Sequence, residues 1–197
     1  MTRIRMFLLA LCGALLVFSC NGNPGGNSDD GYDSRGKYLP SVTGAPGEVF
    51  VIADKEYWDG DIGTELRSEL MAEYPFLPQS EQSFSVFNSP HRAFKGSFCL
   101  HRNIVLINVG NGIDSTGVKY QMDVWAHPQI VVTVYAPDKD IALAVIAKEK
   151  SRIAAAIEQK ERDRIINNTK KFEDRDIRKT VSSFLGGAPD FTKDFSI

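Results

Sequence analysis

The sequence predicts an α+β domain over residues 39–185, folded as a ferredoxin-like two-layer sandwich. A mostly antiparallel sheet carries its helices on one face, and a long helix closes the domain. Two observations point there. The predicted elements run β-α-β-β-β-α, and the C-terminal part of the domain is a long stretch of helix formers without Gly or Pro.

Glu48 to Ala53 (EVFVIA) is rich in β-formers and follows the turn Gly44-Ala45-Pro46-Gly47, which makes it the first strand. A helix follows from Ile62 to Tyr74, with Asp61 as N-cap and Leu66, Leu70 and Met71 on its buried side. Pro75 and Pro78 end it. Ser83 to Asn88 (SFSVFN) alternates as a half-buried second strand does, and Asn103 to Val109 (NIVLINV) reads as a central strand covered on both faces. Gly110 to Gly117 is a turn, Lys119 to Ala126 is a short strand or an extended approach, and Gln129 to Tyr135 (QIVVTVY) is the last strand. From Asp138 to Phe172 the chain is helical, with Ile146, Ile153, Ile157, Ile165 and Phe172 forming one inward stripe. A shorter helix spans Asp174 to Leu185 and stops at Gly186-Gly187, leaving an irregular tail over 186–197.

Ahead of the domain lies an export signal over residues 1–19. Arg3 and Arg5 form a positive region, and Met6 to Phe18 is an uncharged apolar run of 13 residues. A bilayer span needs about 20 apolar residues, so the run is read as a leader that is cleaved. Leu16-Val17-Phe18-Ser19-Cys20 resembles a lipobox, departing from the usual pattern at bulky Phe18. Cys20 is then the lipidated first residue of the mature chain, anchored to a membrane, the outer membrane more readily than the inner. Residues 20–38 form a tether dominated by Asn, Gly, Ser and Asp, unable to bury enough surface to offset its ordering entropy.

Loss of the leader removes two of the 23 basic residues and none of the 25 acidic ones, for a mature net charge of −4. That excludes a general nucleic-acid binder. The charge is uneven: residues 20–147 carry 9 basic and 16 acidic side chains, and residues 148–179 carry 11 and 7. The basic stretch reads as a solvated helix face or as a surface for lipid headgroups or an acidic partner. Cys12 leaves with the leader and Cys20 takes lipid, so Cys99 has no partner for an intramolecular disulfide.

Four segments, Gly44-Ala45-Pro46-Gly47-Glu48-Val49, Leu77-Pro78-Gln79, His101-Arg102-Asn103-Ile104 and Asp123-Val124-Trp125-Ala126-His127-Pro128-Gln129, resemble an uncharacterised lipoprotein family of the Bacteroidota, domain-of-unknown-function family 4837. The resemblance covers the front half of that family. It implies a bacterial envelope protein, truncated at Ile197 relative to its relatives, and no activity to carry over.

No segment carries a complete catalytic constellation, a metal-ligand spacing or a cofactor fingerprint. Asp54, Glu56, Asp59 and Asp61 have the oxygen ligands a hard cation wants but not the alternation of a calcium loop, and capping and surface exposure explain them as well. Cys99 and His101 share one face of an extended segment without a third, orienting group, and zinc through His91, Cys99 and His101 is no better supported. Gly110, Gly112 and Gly117 mimic a phosphate loop, but no helix opens after them. Arg102, Asn103, Trp125, His127 and Gln129 are candidate binding residues of a groove at strand ends; the alternative makes Trp125 core and Arg102 its ion-paired neighbour. Asp114-Ser115-Thr116 resembles an O-glycosylation signal with Ser115 as acceptor. Two functions remain open: a noncatalytic envelope module that binds or scaffolds an envelope protein partner, and a hydrolase-like enzyme with its groove around Arg102 and Trp125.

Overall fold

The computed structural model describes residues 38–75, 77–171 and 183–184. The leader, Cys20 and the tether up to Lys37 lie outside the described residues, as do the tail and most of the second predicted helix, of which Ser183 and Phe184 are helical.

The chain runs β1 (Glu48–Ile52), α1 (Lys55–Trp58), α2 (Asp61–Leu70), β2 (Ser85–Ser89), two 3-10 turns (His91–Ala93 and Gly96–Leu100), β3 (Asn103–Val109), β4 (Gly117–Met122), β5 (Ile130–Ala136) and α3 (Lys139–Lys171). The strands form one five-stranded sheet in the order β2-β1-β3-β5-β4. β1 pairs in parallel with β2 and β3, β3 pairs in parallel with β5, and only edge strand β4 is antiparallel.

The expected antiparallel, ferredoxin-like sandwich is therefore overturned by a mixed sheet that is mostly parallel. The connections explain why. Parallel neighbours need about a dozen residues or more to return to the starting end. Residues 53–84 supply a helical crossover from β1 to β2, and residues 90–102 supply the 3-10 turns that carry the chain back across β1 to β3. Burial fits the same pairing, because β3 and β5 carry apolar side chains on both faces, as parallel strands do.

Strand periodicity divides the interior in two. Val49, Val51, Val105, Ile107, Ile130, Val132 and Val134 face α2 and α3, where they meet Ile62, Leu66, Leu70, Ile146, Ile153 and Ile157. Phe50, Ile52, Ile104 and Val131 form a smaller cluster on the other face, packed against Phe94, Leu106, Val124 and Trp125. Helix α2 starts at Asp61 with Gly60, not Asp61, as its N-cap, and it ends at Leu70. After it, Ser83 donates its backbone N–H to Ala72 and Tyr74 donates to Glu81, closing a loop that returns the chain to β2.

Helix α3 leaves the carboxyl end of β5 and runs back along the sheet, so its last turns reach the amino ends of the strands. The sheet thus has two chemically distinct poles: an amino end closed by α3, and a carboxyl end ringed by α1, the 91–93 turn and the 110–116 loop.

Candidate functional site

At the amino pole, the structure gathers Arg102 and Asn103 with Glu161 and Arg164 of α3. Glu161 and Arg164 are the buried charged residues among those described, 8% and 9% exposed. Arg102 Nη2 meets Glu161 Oε2 at 2.6 Å. Asn103 Nδ2 donates to Glu161 Oε1 at 2.7 Å and to the Glu48 carbonyl at 2.8 Å, joining β3, β1 and α3. Arg164 uses three nitrogens: Nη1 donates to Asn103 Oδ1 at 2.9 Å, Nη2 to the Arg102 carbonyl at 2.8 Å, and Nε to the Pro128 carbonyl at 2.9 Å. Burial pushes the Arg164 guanidinium down to about 10, against the opposing pull of the Glu161 carboxylate 3.0 Å away. It remains charged at neutral pH.

Gln129, fully buried, stitches the neighbouring loops. Its Nε2 donates to the carbonyls of Cys99 and His101, both at 2.7 Å, and its Oε1 accepts the Trp125 N–H at 3.0 Å. Asp123, held at a φ of 54°, accepts the Gln129 N–H through Oδ1 at 2.8 Å and pairs through Oδ2 with His127 Nδ1 at 3.0 Å. Asp and Asn reach this left-handed region more readily than other side chains. Trp125 turns the other way, its ring edge-on to Phe94 with centroids 5.3 Å apart. Of the five sequence-predicted binding residues, Arg102 and Asn103 meet α3, Gln129 and His127 tie the 123–129 loop, and the Trp125 ring lies in the smaller core cluster.

The other candidates separate. His101 pairs with Glu48 Oε2 at 3.4 Å and bonds the Asn103 carbonyl through Nδ1 at 3.2 Å. His91 lies past the carboxyl end of β2, at the opposite pole, so His91, Cys99 and His101 do not converge. Among the described residues, no group of three or more His, Cys, Asp or Glu is placed to hold a metal ion. Burial pushes the Cys99 thiol up. Ser115 is exposed in the 110–116 loop.

A feature that the sequence reading missed is an open crevice of 340 Å³ at the carboxyl pole, lined by Asp54, Tyr57, His91, Ile107, Asn108, Val109, Ile113 and Tyr135. Asp54 follows β1, and Tyr57, three residues on, comes round with it on the first turn of α1. The Asp54 carboxylate accepts the His91 backbone N–H at 3.2 Å and so pins the 91–93 turn over the strand ends. His91 Nε2 lies 3.1 Å from Asn108 Oδ1, an acceptor, so Nε2 is the nitrogen that donates. The available signal was the strand-end position of Asp54, whose side chain was grouped with its acidic neighbours. Asp59 in fact pairs with Lys55, and Asp61 with Lys139.

No helix among the described residues is long and apolar enough to cross a membrane. No curated protein matches the chain, and no solved structure does. Residues 42–170 match the family described as Domain of unknown function (DUF8532). That is an uncharacterised domain, but a different family from the 4837 family that the four segments resemble. The match takes in all five strands and nearly all of α3, and the chain belongs to this family of unknown function, DUF8532.

Proposed function

We propose that this protein is a lipid-tethered component of a bacterial cell envelope whose domain is a noncatalytic binding or scaffolding module. The observation that carries the noncatalytic reading is the bonding at the amino pole. A general acid, base or nucleophile needs capacity left for a substrate. Arg102, Asn103, Glu161 and Arg164 instead bond one another and the backbone of β1, β3 and the 128 turn. They act as a frame.

The tether rests on the charged and apolar halves of the leader, on Ser19-Cys20, and on the resemblance of four segments to envelope lipoproteins. Each buried methylene of an acyl chain contributes about 0.8 kcal/mol, so a cysteine carrying two or three chains holds the domain at the bilayer.

Arg102→Ala tests the frame. It strips Glu161 Oε2 of its partner while Arg164 and Asn103 still serve Oε1, and is expected to cost about 1.5 to 3 kcal/mol of stability. Any envelope phenotype should then fall in parallel with the melting temperature. A phenotype lost while the melting temperature stays within about a degree would overturn the noncatalytic reading and favour an enzyme acting through Arg102.

A further inference from the structure

We propose that the crevice at the carboxyl pole binds a small organic cation, an amine or quaternary ammonium, with Asp54 as its counter-charge. The inference rests on the binding-module reading and adds the place of binding and the class of ligand.

Topology selects the place. Open sheets with parallel strands take ligands outside the carboxyl ends of strands whose outgoing connections diverge, because the departing chains leave a gap there. β1 and β3 are adjacent, and their chains part: β1 leads through α1 and α2 to β2 on one side, β3 to β4 and β5 on the other. Asp54 follows β1, and Asn108 and Val109 end β3, so the crevice opens at this divergence. Its volume, 340 Å³, lies at the small end of ligand pockets.

Chemistry selects the ligand. Among the described residues, neither Lys nor Arg lines the crevice, and Asp54 is its one carboxylate. The Asp54 side chain is 57% exposed, and its bond to the His91 N–H uses Oδ1. The His91 ring approaches the same oxygen, its Nδ1 lying 3.7 Å from Oδ1, and both contacts leave Oδ2 for a ligand. An anion would meet this charge with no opposing cation in the lining other than a protonated His91. Val109 and Ile113, both half-buried, contribute apolar surface that suits alkylated nitrogen better than a polyol. Tyr57 and Tyr135 add aromatic rings, whose faces attract cations. The surplus of acidic over basic residues in 20–147 draws in the same sign of ligand.

The test uses the full chain in nonionic detergent micelles, titrated calorimetrically with choline and with its neutral carbon isostere, 3,3-dimethylbutan-1-ol. Choline is expected to bind more tightly than the isostere by on the order of tenfold, and Asp54→Asn should abolish that preference without moving the melting temperature. Equal binding of the two probes, no choline binding, or a preference that survives Asp54→Asn would overturn the proposal. Such a failure leaves the Arg102→Ala result untouched, so loss of the ligand assignment and loss of the module reading are separable.

Discussion

Gln129 shows how much of this fold hangs on single polar side chains. Its amide serves the carbonyls of Cys99 and His101 and the Trp125 N–H from a fully buried position. Gln129→Leu keeps the approximate volume but strands those three backbone groups. Each buried polar group left unpaired costs about 1 to 3 kcal/mol, so the substitution is expected to lower the unfolding free energy in urea by at least about 3 kcal/mol. A loss below about 1 kcal/mol would mean that water replaces the amide. Cys99 offers a chemical check of the same region. Desolvation raises its thiol, leaving less thiolate, so in the mature protein it should react with a disulfide reagent at pH 8 more slowly than free cysteine does and reach the free rate on unfolding. A native rate equal to the free rate would contradict the burial. At this scale the sequence was half legible. Arg102, Asn103 and Gln129 stood out by residue type, but their partners Glu161 and Arg164 looked like solvated charges of a helix face. The spacing held the clue: Ile153, Ile157, Glu161 and Arg164 step by four, four and three along one stripe. The expected stripe passed through Ile165 instead, which is 62% exposed.

Among the elements, the crossing of α1 and α2 is the most tightly constrained. A Cβ on Gly63 would lie 1.9 Å from the Trp58 carbonyl oxygen, a separation no rotamer can relieve because the obstacle is backbone. The Trp58 carbonyl also accepts from Arg67 Nη1 at 2.8 Å, and the Arg67 guanidinium sits 4.5 Å from the centre of the Trp58 ring. Gly63→Ala should therefore push α1 from α2 and cost about 1 to 3 kcal/mol, despite the better helix propensity of Ala. An unchanged or raised melting temperature would show that the helices separate freely. The strands were legible because β-formers cluster between turns, and α3 because its helix formers run uninterrupted. Strand direction was not. The continuous apolar runs of β1, β3 and β5 were the sign of parallel pairing, but the segment 90–102 has neither helical periodicity nor length enough to announce a crossover. Its 3-10 turns do that work through Phe94 and Phe98, Phe98 lying 5.6 Å from Phe50 between ring centres.

For the whole molecule, the two poles divide the labour. Helix α3 returns to the amino ends of β1, β3 and β5 and closes them with buried ion pairs, which leaves Arg102 Nε as the one buried nitrogen of that cluster without a partner among the described residues. The carboxyl pole stays open because α1 is a single turn and the loop over 110–116 is short. None of this division was visible from composition, since it depends on strand order, and strand order depends on crossovers that local patterns do not encode. The apolar leader and Cys20, by contrast, are read from local letters alone. The proposed place of the protein in the cell rests on them, and it is tested most directly by mass spectrometry of the protein isolated from its native membrane. A lipid-tethered protein should yield an N-terminal peptide that begins at Cys20 and carries the added mass of a thioether-linked diacylglycerol. A peptide beginning at Met1, or a Cys20 with an unmodified thiol, would contradict the tether.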